Sequence, residues 1–249
     1  MTRLAVGFTQ QMQLEWLEWT AAMTLAGMTP EAIHAELQSR LRPLVSVGGD
    51  DRGSNRAKVI AILLKTWVNP PAALRPFHED ALRLCATTLP AQRVALHWGM
   101  ALAVYPFLGV VAGAIGRLLE LQGRATYAQV RQRVRERYGE RESIDRATRR
   151  VLYSLWQWQV IGRVAQPGVY VGAPPVAITQ PGLSGWLVEA ALLTRQVSSV
   201  PLGVAARQSV LFPFALGPLD IAAAPRLHVL RQGLDNDVVM RVAPRGPAL

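Results

Sequence analysis

The strongest constraint on the fold is an uncharged run. Between Arg93 and Arg117 no side chain carries a full charge. Its central part, Val94–Ile115, reads VALHWGMALAVYPFLGVVAGAI. As one helix these 22 residues would extend about 33 Å, enough to cross a hydrocarbon core. Gly109 and Gly113 add the GxxxG spacing of packed membrane helices. The run is therefore either a membrane span or the central helix of a water-soluble protein. Its details favour the second. Trp98 and Tyr105 sit inside it instead of forming belts at its ends. His97 and Pro106 are ill suited to lipid. A helix apolar all round suits the middle of a bundle whose other members each carry one apolar stripe. The reading predicts one long core helix from Pro90 to near Gly123, no membrane association and a cytoplasmic location.

The chain supplies such members. Over residues 9–26, Met12, Trp16, Trp19 and Met23 recur at helical spacing. Thr29-Pro30 is a cap followed by a first-turn proline, and Ile33, Leu37 and Leu41 continue that helix. The composition of 46–55 is that of a loop, and Ser54 caps a helix through Trp67 that Pro70 and Pro71 stop. A fourth helix runs to about Cys85. Half the residues are hydrophobic, so a large core is available. Residues 1–20 lack the apolar core of a signal peptide. One cysteine, Cys85, excludes an internal disulfide framework and a multi-cysteine zinc site.

Beyond Gly123 the character changes. The formal net charge is +10, and it is unevenly placed. Residues 124–163 hold ten arginines against four acids, leaving +6 there. A concentrated basic segment points to a polyanionic partner. Thr126 and Gln129 have the spacing of a capping box, Tyr127, Val130 and Val134 form an inner stripe, and Gly139 suits the helix end. Ser143 is expected to cap the next helix. Gly162–Gly172 then reads as a hairpin around Pro167-Gly168. Helix, helix, hairpin is the order of a winged helix-turn-helix.

At 100° per residue, Arg146, Arg149, Arg150, Tyr153 and Gln157 share roughly a 100° arc of the second helix. Ile144, Ala147, Val151, Leu155 and Trp158 gather opposite. One face packs, and the other offers groups that suit phosphates and base edges. A charged stripe opposite an apolar one is also what any solvated helix shows. Residues 172–182 read as a linker or domain seam. A short helix is expected at about 184–197 and a second hairpin within 219–242.

No catalytic pattern emerges. His34, His78, His97 and His228 are dispersed. His78, Glu79 and Asp80 are consecutive and diverge around a helix. The glycine-rich loop near 48–53 lacks the ending that grips phosphate and magnesium. The reading therefore assigns no enzyme activity, no cofactor and no metal site.

The segments GFTQ, SNRAKVIAILLKTWV, ALHWGMALAVYPFLGVVAGAIGRLLEL and ATRRVLYSLWQWQVIG, in this order over about residues 8–170, resemble the BrxA family of bacterial BREX phage-exclusion systems. That resemblance implies a mainly α protein: an N-terminal helical bundle like the antitermination protein NusB over 1–123, then a winged helix-turn-helix over 124–175. Residues 176–249, a small α+β region with a hairpin, have no recognised counterpart in it. It implies a non-enzymatic accessory that binds double-stranded DNA. Arg146, Arg149, Arg150, Tyr153 and Gln157 would face the major groove, and Thr126, Arg131, Arg135 and Arg163 would touch phosphates. Other defence subunits are expected partners, and the C-terminal region could join copies of the chain. Two alternatives stand beside it: a protein-interaction scaffold, and a membrane-tethered transcription regulator.

Overall fold

The computed structural model describes residues 6–45, 53–219, 221, 223–231 and 237–242. The chain is mainly helical, with small sheets in its later part. Helix α1 (Leu14–Leu25) starts later than its apolar spacing predicts, because residues 9–13 are not helical. Helix α2 (Pro30–Leu41) is capped by Thr29, whose side chain accepts from the amide of Ala32. Ser54 does the same for α3 (Asn55–Trp67), through Ala57. Helix α4 (Arg75–Thr87) follows the proline stop. Most of the loop expected at 46–55 lies outside the described residues.

The expected long core helix is instead two. Helices α5 (Arg93–Val104) and α6 (Pro106–Gln122) meet at a bend of 119°. The cause is local. Pro106 has no amide to donate and disfavours a helical predecessor. Tyr105 accordingly leaves the helical region, with φ −128° and ψ 84°. Pro106 then opens the next helix, a position where its missing donor costs nothing. Among the described residues no single helix is long and apolar enough to cross a membrane.

The run is nonetheless core. Every residue of α5 from Val94 to Val104 is buried. Each large apolar side chain so covered contributes about 1.5–3 kcal/mol. Much of the cover comes from α9 (Leu183–Arg195), which is itself almost entirely buried. Glycines set this approach. A Cβ on Gly99 would lie 2.1 Å from the Trp186 ring, and one on Gly109 would lie 2.0 Å from the Thr194 hydroxyl. Gly113, the other half of the GxxxG pair, has only Ser209 at 3.8 Å. Trp186 stacks on Phe77 at 4.4 Å and donates its indole N–H to the Phe77 carbonyl at 3.1 Å.

After α6 come β1 (Arg124–Thr126), α7 (Tyr127–Tyr138), α8 (Glu142–Gln157), β2 (Ile161–Arg163) and β3 (Val169–Gly172). The three strands form one antiparallel sheet in the order β1-β3-β2, with Ala125 opposite Tyr170 and Gly162 opposite Val171. The segment read as a linker is partly structured. Strand β4 (Val176–Ile178) pairs in parallel with β6 (Phe214–Leu216). The side-chain oxygen of Gln92 accepts from the amides of Thr179 and Gln180 at 3.0 and 3.2 Å. A pairing across that sequence separation has no local signal. The expected C-terminal hairpin is present as β7 (Leu227–Arg231) and β8 (Asp237–Arg241), with Val229 opposite Val239. Strand β5 (Ser199–Pro201), followed by the short α10 (Leu202–Ala205), adds to the other edge of β8.

A buried ionic cluster ties this last region to the helices. Glu189 of α9 accepts from Arg226 through both carboxylate oxygens, at 2.8 and 2.9 Å, and from Arg241 at 3.2 Å. Arg226 also pairs with Asp80 of α4 and donates to the Pro76 carbonyl at 3.2 Å. Burial alone would lower the Arg226 pKa, but the two carboxylates raise it.

Candidate nucleic-acid interface

Local sequence positions α7 well. The Thr126 hydroxyl accepts from the Gln129 amide at 3.2 Å, and the Gln129 side chain accepts from the Thr126 amide at 2.9 Å. Thr126 Oγ1 also lies 3.0 Å from the Gln129 side-chain oxygen, to which it donates. The residue expected to touch phosphate is thus engaged in its own cap. Gly139 ends α7 with φ +82°, a conformation glycine adopts without steric cost.

Helix α8 begins one residue before the expected cap. Arg141 stands at the N-cap and Ser143 is exposed in the first turn. The Arg141 side chain donates back to the Tyr138 carbonyl at 3.1 Å. Glu142 and Asp145 bring negative charge to the helix start, where the macrodipole favours it. Ile144, Ala147, Val151 and Leu155 are buried as the periodicity requires.

The five residues of the polar arc separate. Arg150 and Gln157 turn toward the N-terminal segment. Arg150 donates to the Thr9 carbonyl, and Gln157 donates to the Gln13 side chain at 3.1 Å. The same segment is held by Ser154, which accepts from the Met12 amide at 2.8 Å, and by Trp158, whose indole donates to the Met12 carbonyl at 2.9 Å. This docking explains why residues 9–13 are not helical: their backbone groups have partners on α8. One flank of the arc is therefore covered by the chain itself.

The other flank is open. Arg146 and Arg149 are exposed. Arg146 lies 3.3 Å from Glu142, both well solvated, so that pair is weak. Arg149 stacks over Tyr127 at 5.1 Å, and Arg131 approaches the same ring at 5.8 Å. Arg163 of β2 stacks over Trp156 at 4.1 Å and Tyr153 at 5.4 Å. Among the described residues neither Arg149 nor Arg163 has a carboxylate within ion-pair distance. A groove of about 370 Å³ runs between them, lined also by Tyr127, Pro167 and Tyr170. Arg135, expected at phosphate, is instead engaged by both carboxylate oxygens of Asp145, one at 2.9 Å. That hydrogen bonding holds the Asp145 carboxyl below its usual range.

Two aromatic residues belong to this surface that the sequence reading put elsewhere or passed over. Tyr127, read as core stripe, is half-buried, with its hydroxyl donating to the Asp145 carbonyl at 3.2 Å. Trp156 falls only about 20° from Arg149 at 100° per residue. Its place beside an arginine was readable from the wheel, but its stacking partner, Arg163, comes from the following strand.

His78, His97 and Cys85 sit inside the packing, whereas His34 and His228 are exposed. His78 Nε2 is 2.8 Å from the Trp67 carbonyl, and burial lowers its pKa. His97 Nε2 is 3.0 Å from Glu18 and its ring meets Trp67 edge-on. Burial raises the Cys85 pKa, which keeps the thiol protonated. Among the described residues no group of three or more histidine, cysteine or acidic side chains could hold a metal ion. The chain matches no protein-family model, no curated protein and no solved structure.

Proposed function

We propose that residues 106–172 act as a winged helix-turn-helix that binds double-stranded DNA. On this reading α8 enters the major groove, and the β2–β3 hairpin lies against the backbone. The observation that carries it is the groove between Arg149 and Arg163: two exposed guanidinia without carboxylate partners, oriented by aromatic rings. Arginine in that state suits phosphate and guanine edges. The element order α6-β1-α7-α8-β2-β3 and the sheet order β1-β3-β2 support the same reading. Arg146 and Arg149 face the bases, while Arg131 and Arg163 contact phosphates. Arg150, Gln157 and Arg135 are left out because each already has an internal partner.

The resemblance to BrxA supports a further step. The protein is then a non-enzymatic, cytoplasmic accessory of a phage-defence system with an N-terminal part like NusB, and its catalytic partners are separate subunits. Tyr, Trp and Arg together are also the composition of protein-binding hot spots, which favours a docking scaffold as the second reading.

Fluorescence anisotropy with a labelled duplex over a salt series tests the first. Affinity should fall steeply with salt, since phosphate contacts release counterions. The double variant Arg146→Glu/Arg149→Glu should lose at least about tenfold, about 1.4 kcal/mol, which lies within the loss of about 1–3 kcal/mol typical of a base contact. Arg150→Ala and Gln157→Ala should bind within about twofold of the parent, as rim-neutral changes do. A folded Arg146→Glu/Arg149→Glu protein that binds like the parent overturns the assignment. No duplex binding by the parent at low salt transfers the face to the scaffold reading.

A further inference from the structure

A second basic cleft, of about 580 Å³, lies where α6, the end of α7, the last turn of α9 and the segment around α10 meet. Four arginines line it, one from each of these parts: Arg117, Arg137, Arg195 and Arg207. The lining holds one carboxylate, Glu120, and it is already 3.0 Å from Arg117. Like charges brought to one cavity repel, and a bound anion relieves that repulsion.

The details resemble a prepared site more than a chance crowding. Arg195 is held by a neutral partner, donating to the Gln208 side-chain oxygen at 3.1 Å. Gln208 is buried and fixed in turn by donating to the Ala205 carbonyl at 3.1 Å. The guanidinium is thereby oriented and keeps its charge uncompensated. Arg137 and Arg207 have no ion pair among the described residues. Thr194, which also lines the cleft and is 3% exposed, has a hydroxyl without a hydrogen-bond partner. That is unusual for this chain. Thr20, Thr24, Thr66 and Thr148 all donate to the carbonyl four residues back in their helices. A buried hydroxyl without a protein partner is one that ordered water or a bound ion commonly satisfies.

We propose that this cleft binds a phosphate-bearing polyanion of nucleotide size. Guanidinium forks match phosphate oxygens in pairs. The volume is within the range of small-ligand sites and larger than one phosphate needs. Val110 and Val204 supply an apolar wall for the remainder of the ligand. The phosphates come from a free nucleotide or from a nucleic-acid backbone reaching α7, whose Arg137 lines the cleft. The site is separate from the α8 face and does not rest on the reading given to it.

Isothermal titration of the full-length protein with ADP, with pyrophosphate and with a short duplex tests this. ADP and pyrophosphate should bind with Kd below about 1 mM. Arg137→Ala/Arg207→Ala should weaken both at least about tenfold, while Arg137→Lys/Arg207→Lys, which keeps charge and loses the fork, should fall between. Arg146→Glu/Arg149→Glu should leave ADP binding unchanged. If ADP does not bind but Arg137→Ala/Arg207→Ala weakens duplex binding, the backbone is the source and the site stands. Thermal melts by circular dichroism establish that each variant folds. ADP binding unaffected by the Arg137/Arg207 change, or no effect of that change on any of the three probes, overturns the proposal.

Discussion

Arg226 and Arg149 carry the same group into opposite circumstances. The Arg226 side chain is 11% exposed and is held by Glu189, Asp80 and the Pro76 carbonyl. Arg149 is exposed and rests on a tyrosine ring. A buried guanidinium needs its partners inside the fold, because an unpaired one loses its hydration without compensation. An exposed one costs nothing to leave free, so its charge remains available to an external anion. Arg150 and Arg135 lie between these limits, half-buried and each with one internal partner. The difference shows that arginine count locates a basic region, while partner assignment decides which arginines can act outward.

Breaking the buried side should have the largest effect. Glu189→Ala leaves Arg226 without its bidentate partner and should cost about 3–5 kcal/mol, measured by urea denaturation. A loss under about 1 kcal/mol would mean that Arg226 escapes to water and that the contrast with Arg149 is false. Arg150→Ala should come next. It removes one hydrogen bond to Thr9 and should cost about 1 kcal/mol, with faster proteolysis near residues 6–13 and no change in duplex affinity. Arg149→Ala should move stability by less than about 0.5 kcal/mol, while duplex binding weakens by about 1–3 kcal/mol and discrimination between duplex sequences relaxes.

The smallest effect belongs to Arg135 and Asp145. Hydrogen bonding from Arg135 lowers the Asp145 pKa in the folded state. The folded protein therefore releases this proton more readily than the unfolded chain. Its stabilisation is present above the ordinary aspartate range, near pH 4, and disappears as pH falls through the lowered value. Asp145→Asn should lower the melting temperature slightly at neutral pH and flatten its fall below about pH 4, where variant and parent converge. An unchanged acid limb would show that this pair contributes nothing.

What was readable in the sequence was local. Thr126 with Gln129, Thr29 before Pro30, and Ser54 each cap the helix that their spacing announces, since a cap needs only residues three apart. The pairing of β7 with β8 was readable for a similar reason: two β-prone runs lie close together in sequence. Pro106 was equally visible, and its consequence follows from the backbone of one residue, yet the apolar continuity around it suggested a single helix. The docking of residues 9–13 on α8 was not readable. Met12 and Ser154 are far apart in sequence and neither has a spacing that announces the other. The wheel could align Arg150 with Arg149 but could not say that Thr9 would cover one of them.

Composition and periodicity by themselves determined a helical chain with a large apolar core, a basic segment after Gly123, and the caps and turns that bound its elements. Those properties depend on neighbouring residues, whose interactions are set within a turn or two of chain. Tertiary structure alone decided that α5 and α6 pack with α9, that Glu189 gathers Arg226 and Arg241, and which arginines stay unpaired. Each of these rests on groups distant in sequence meeting in a medium where an unpaired charge is costly. Only the folded chain determines where that medium lies.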